Sequence, residues 1–124
     1  MSAERLVHHE LCFGCGRTNL FGLLMEVEQA ADGAIRGRGF IKQDHQGPSR
    51  GSAHPGVVTA ALTEALAFAA QAEAGIDALE IQLRAPVPIG AFIDVEARIA
   101  DGAVTATAWV DQREVASARA AYRG

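Results

Sequence analysis

Glu64 stands inside a stretch, 57–74, whose only other polar side chains are Thr59, Thr63, Gln71 and Glu73. A carboxylate there either costs desolvation energy or is kept for work, as a general base or nucleophile whose pKa the apolar surroundings raise. The plainer reading is a carboxylate bonded to Gln71 on the same helical stripe, to a backbone group, or to an arginine across a subunit interface. Thr63 beside it either bonds back to the carbonyl of Thr59 or holds a water or ligand oxygen. His54 precedes Pro55 and Gly56 at the entrance to this stretch, where it can cap a helix or donate to a carbonyl that is being polarised. Asp44, His45 and Gln46 form a small polar cluster ahead of it, able to hold substrate or water, or simply solvated. His8, His9, Cys12 and Cys15 are donors of the types that bind zinc tetrahedrally. They crowd into one short segment, and no helix follows the C-x-x-C as thioredoxin-like redox chemistry would require, so they are read as two packed thiols with no metal.

The elements that must position these residues follow from period and punctuation. Pro55 suits the first helical position, His54 before it is pushed out of the α region, and Gly75 supplies a stop, so a helix is predicted over Pro55 to Ala74, about 30 Å long. Leu23 to Gln29 alternates, Asp32-Gly33 marks a hairpin, and Ala34 to Ile41 returns. Lys42 to Ala53 is a loop. Leu79 to Arg84 alternates until Pro86 and Pro88. Phe92 to Ala100 sets Phe92, Asp94, Glu96 and Arg98 against Ile93, Val95, Ala97 and Ile99. Turns at Asp101-Gly102 and Asp111-Gln112 separate it from strands Ala103 to Val110 and Glu114 to Arg123. The order is β-β-α-β-β-β-β, an α+β domain whose antiparallel sheet of about six strands needs its apolar face covered by the apolar helix. Residues 1–22 are expected to be an irregular N-terminal segment, packed on the domain through Phe13, Leu20 and Phe21.

With 124 residues, 49% hydrophobic and 21% charged, the chain suits one domain, 1–124, with a modest core. Eleven basic residues against fifteen acidic give a net charge of −4. Ten of the basic residues are arginines scattered along the chain, with Lys42 the single lysine, so no footprint for nucleic acid forms. The N-terminus lacks the apolar run of a signal peptide, and the Ala-rich stretch reads as a core helix rather than a membrane span. Cys12 and Cys15 are too few for a disulfide framework, which makes the cytoplasm the default location.

Cys12-Phe-Gly-Cys-Gly with Asn19 and Gly22-Leu23, then His45-Gln46-Gly47-Pro48, His54-Pro55-Gly56, Leu62-Thr63-Glu64-Ala65 and Arg84-Ala-Pro-Val-Pro-Ile-Gly90, form an ordered set over nearly the whole chain. The set resembles the hotdog-fold thioesterases, in particular the phenylacetate-pathway type acyl-CoA thioesterase group. The resemblance implies a long central helix wrapped by a curved antiparallel sheet. It also implies a homodimer or dimer of dimers with sites at the subunit interface, an acyl-CoA thioester as substrate or ligand, and no cofactor.

In that group a backbone N–H at the first Gly of an HGG turn polarises the thioester carbonyl, and a carboxylate nine residues after the His acts as base or nucleophile. Here Pro55 has no N–H at the first position and Thr63 has no carboxylate at the second. The resemblance leaves Glu64 as the candidate water activator, with Thr63 at the family's acid position. Gly56 N–H and His54 are the candidate carbonyl donors, and His45, Gln46, Gly47 and Pro55 contact substrate. The alternative is a catalytically degenerate hotdog protein that binds an acyl-CoA or related apolar ligand without turnover.

Overall fold

A computed structural model describes residues 4–71, 75–100 and 102–122 of the chain. Among the described residues seven strands form one antiparallel sheet: β1 (Arg5–Leu6), β2 (Glu26–Gln29), β3 (Ile35–Phe40), β4 (Ile76–Leu83), β5 (Phe92–Ala100), β6 (Ala103–Val110) and β7 (Arg113–Tyr122). Their spatial order is β1-β2-β3-β5-β6-β7-β4, leaving β1 and β4 as edges. One helix, α1 (Pro55–Ala70), packs against β5, β6, β3 and β7, and a 3₁₀ turn (Gln43–His45) precedes it. This is the expected architecture with one more strand.

Why the sheet takes this register is visible residue by residue. Leu23, Met25 and Val27 point inward and are almost fully buried, as are Ile93, Val95 and Ala97 on β5 and Ala106 and Ala108 on β6. They meet Val58, Ala61, Leu62, Ala65 and Leu66 of α1 in a single core. On the outer face Arg36 lies opposite Glu96, and Arg38 opposite Asp94, with bonds of 2.7 and 2.8 Å. Ile99 departs from the alternation and is exposed.

The differences from the expected boundaries have local causes. The extension at Leu23 is not yet paired as a strand, because Leu23 and Met25 donate their N–H groups to the carbonyls of Phe13 and Gly14 in the N-terminal segment. That segment contributes the unanticipated β1, paired to β2 through Arg5↔Glu28 and Leu6↔Val27. α1 ends at Ala70, earlier than the predicted Ala74. Gln71 takes the left-handed conformation (φ 51°) and returns its N–H to the Ala67 carbonyl, so Gln71, not Gly75, stops the helix. Glu73, the Asp101 half of its turn and the expected Arg123 end of β7 lie outside the described residues. Phe13, Leu20 and Phe21 are substantially exposed rather than packed, and Cys15 and Leu23 anchor the segment instead.

Candidate functional site

The entrance to α1 is built by a loop that closes on itself. Gly47 N–H donates to the Ser52 carbonyl, Gln46 Nε2 to the Gln43 carbonyl, and Gly51 N–H to Gln46 Oε1. A Cβ on Gly47 would sit 2.6 Å from His54 Cα, so only glycine lets the loop approach the helix start this closely. His45 is buried. Its Nδ1 accepts the Lys42 N–H at 3.0 Å, which puts the ring proton on Nε2, 3.0 Å from the Phe21 carbonyl. Its backbone carbonyl receives the His54 N–H at 2.8 Å. Both ring nitrogens being taken, His45 fastens the N-terminal segment to the loop and is not free to touch substrate. Gln46 likewise spends its side chain inside the loop, and Gly47 acts by its size.

His54 is exposed and caps α1, its Nδ1 accepting the Gly56 N–H at 2.8 Å. An Nδ1 that accepts is unprotonated, so the neutral ring carries its proton on Nε2. The Gly56 amide is thereby engaged in fixing the tautomer of His54, which corrects its expected role as a free oxyanion donor. The donor at the helix entrance is the imidazole itself. Pro55, next in sequence, lines a groove of about 440 Å³ together with Pro48, Ser52, Val58, Leu83 and Arg84. Its lining is largely apolar and includes Ser49, Ser52 and Arg84, the last held by Glu114 at 2.5 Å.

Thr63 is half-buried and donates to the Ala60 carbonyl at 3.0 Å, one residue along from the expected Thr59. Glu64 is 7% exposed and faces neither the groove nor Gln71. Its Oε2 lies 3.0 Å from His8 Nδ1, and its Oε1 accepts from the Cys12 thiol at 3.4 Å. The N-terminal segment is folded down onto it. A Cβ on Gly14 would come within 2.4 Å of Glu64 Oε1, so a glycine between the two cysteines is what lets the backbone cover the carboxylate. His8 stacks flat on Phe68 of α1, centroids 3.7 Å apart, which fixes its ring. Cys15 is fully buried, its Sγ 3.5 Å from His8 Nδ1 and accepting the His8 backbone N–H at 3.2 Å.

The structure thus gives Glu64 partners other than those weighed from the sequence, and this burial removes it from the groove as a water activator. Burial, reinforced by the Glu64 carboxylate, pushes the Cys15 thiol well above the usual range, which makes it a poor free nucleophile. The same charge adds to burial in raising the Tyr122 phenol. His8, Cys12, Cys15 and Glu64 each offer a ligand atom within 4.8 Å of the others, whereas His9 bonds the Leu11 N–H. By type and spacing alone His8 and His9 are equivalent candidates. The missed signal was the need of a buried carboxylate for a donor, which a glycine-rich segment carrying a histidine could bring.

A helix cradled by a curved antiparallel sheet, with its N-terminus opening on a groove, defines the hotdog class of folds. Solved structures agree. The chain superposes on a thioesterase superfamily protein at 19% identity, covering 88% of this chain and 58% of that one, with a TM-score of 0.73. The E. coli PaaI protein of the phenylacetic acid degradation operon is 16% identical over 80% of this chain and 82% of that one, TM-score 0.69. A phenylacetic acid degradation-related protein of Ralstonia eutropha JMP134 is 18% identical over 79% and 83%, TM-score 0.68. No protein-family model and no curated protein sequence matches the chain.

Proposed function

We propose that this protein is a thioester hydrolase acting on acyl-CoA, with its site between two copies of the chain. The observation that carries the reading is the His54 tautomer, a hydrogen-bond donor held by Gly56 at a helix N-terminus, next to an apolar groove. Nε2–H and the positive end of the helix macrodipole favour charge developing on a thioester oxygen placed there. The Val58, Leu83 and Pro86 surfaces suit an acyl or pantetheine chain. Water attacks the carbonyl carbon, the C–S bond breaks, and a carboxylic acid and the CoA thiol are released.

His54 and Thr63 are nine residues apart on one helical rise, about 14 Å. One copy therefore cannot bring both to the same carbonyl, and Thr63 from a second copy would complete the site by orienting the water. A hydroxyl orients but does not deprotonate near neutral pH, so turnover is slow. Two unpaired thiols, and no described helix long and apolar enough to cross a membrane, fit action in the cytoplasm. The second reading, ligand binding without turnover, is favoured by the missing Pro55 N–H and the sealing of Glu64. Thiol release from short, aromatic and long-chain acyl-CoAs separates the two. His54→Gln should lower kcat at least tenfold with KM nearly unchanged, and saturable binding without any thiol release would install the second reading.

A further inference from the structure

We infer that His8, Cys12, Cys15 and Glu64 form a structural zinc(II) site that fastens the N-terminal segment to α1. The set is one imidazole nitrogen, two thiol sulfurs and one carboxylate oxygen, the donor types that zinc takes in four-coordinate sites. Bond lengths of about 2.0 Å to N and O and 2.3 Å to S require tetrahedral edges of roughly 3.3 to 3.8 Å. Four donor–donor distances are 3.0 Å (His8 Nδ1 to Glu64 Oε2), 3.4 Å (Cys12 Sγ to Glu64 Oε1), 3.5 Å (Cys15 Sγ to His8 Nδ1) and 3.8 Å (Cys12 Sγ to His8 Nδ1). Three of them lie in that range, the His8–Glu64 contact needs a small opening, and with one oxygen taken from Glu64 all four ligand atoms lie within 4.8 Å of one another, so closing on the ion asks only for small side-chain shifts.

The surroundings support the ligands as well. The His8 backbone N–H points at Cys15 Sγ, and the Gly16 N–H donates to the Cys12 carbonyl at 2.8 Å, closing the C-x-x-C into a knuckle. Gly16 is demanded by that closure, since a Cβ there would lie 2.3 Å from the Glu10 carbonyl oxygen. The Phe68 stack holds His8 Nδ1 inward. All four donors come from the chain, leaving no position for substrate, so the ion is a staple rather than a reaction centre. Zinc binding replaces the two thiol protons, which leave to solvent.

Cobalt(II) titrated into the metal-free full chain under reducing conditions reads this geometry. The expected spectrum has the intense visible bands of a four-coordinate ion and thiolate-to-cobalt charge transfer, saturating at one equivalent and displaced by zinc(II). If the metal-free chain does not fold, refolding it with cobalt(II) gives the same reading. Loss of an outer hydrogen bond to a ligand already costs 10- to 100-fold in affinity, so Cys15→Ser should weaken zinc binding by more than about tenfold. His9→Ala should leave zinc binding unchanged. A pale six-coordinate spectrum, no saturable spectrum, or equal loss of zinc from His9→Ala and His8→Ala would overturn the site. None of these readings involves thioester hydrolysis, so the zinc site and the proposed function stand or fall separately.

Discussion

His54 caps the helix and, in the proposed reaction, also donates to the thioester oxygen, two roles that substitution can separate. As N-cap it satisfies the Gly56 amide, and losing a cap costs about 1 kcal/mol of stability. As the Nε2–H donor it is asked to stabilise a transition state, and one such donor is commonly worth about 10²-fold or more. His54→Asn keeps a capping oxygen and should hold the melting temperature while turnover falls; His54→Ala should lose both, read by thermal melts beside thiol release. Glu64 divides the other way. In the metal-free chain Glu64→Ala takes the acceptor from His8 Nδ1 and the Cys12 thiol beside the buried Cys15 and should destabilise by about 1–3 kcal/mol in chemical denaturation. Any change in turnover should track the fraction folded. The anomaly of Glu64 was legible in the sequence as a carboxylate in an apolar run. Its partner was not, because His8 lies 56 positions away and only the fold brings the two together.

Helix and strands were read most securely where a period could repeat. β5, β6 and β7 run eight to ten residues with a buried position at every second residue over most of their length, and the expected bounds lie within a residue of those observed. β1 has two residues, too few to show any period, and exists because β2 offers it an edge. Gly75 is the residue type that best tolerates positive φ, yet the chain stops the helix with Gln71, directly after Leu-Ala-Phe-Ala-Ala ends at Ala70. At this scale Gly47 makes the sharpest forecast. Gly47→Ala meets backbone at His54 rather than a side chain that could swing aside, so the loop must shift. A loss of about 1–3 kcal/mol is expected, with a raised KM for acyl-CoA because the groove wall moves with the loop.

Across the whole molecule, the outer face of the sheet carries an ionic ladder that sets an acid limit. The hydrogen bond from Arg36, with Arg98 adding to it, holds the Glu96 carboxyl below its ordinary value of 4.5. A depressed folded pKa means stability that is fully present above the unfolded value and lost as pH falls through the folded one. Both partners are partly exposed, so the contribution is at most about 1 kcal/mol. Arg36→Gln should therefore lower the melting temperature at pH 7 and converge with the parent below pH 4.5. The edge strand β4 bears on assembly. It presents Leu79 and Leu83, 38% and 54% exposed, on a strand that has one neighbour, β7, among the described strands. Such an edge is a template for a second copy. Light scattering at micromolar concentration should give at least twice the chain's mass, and Leu79→Lys with Leu83→Lys should shift it toward the monomer.

The central claim is that the groove at the helix entrance positions a thioester carbonyl for water. It is tested most directly by thiol release in the parent and in the double variant Pro55→Gly, Thr63→Asp, across the same acyl-CoA panel. Pro55→Gly supplies a backbone N–H at the entrance, and Thr63→Asp supplies a carboxylate where the parent has only a hydroxyl. The parent should hydrolyse slowly, and the double variant should exceed the product of the two single effects, because donor and base act on one transition state. A folded, oligomeric double variant that releases no thiol from any member of the panel, beside an equally inactive parent, would contradict it.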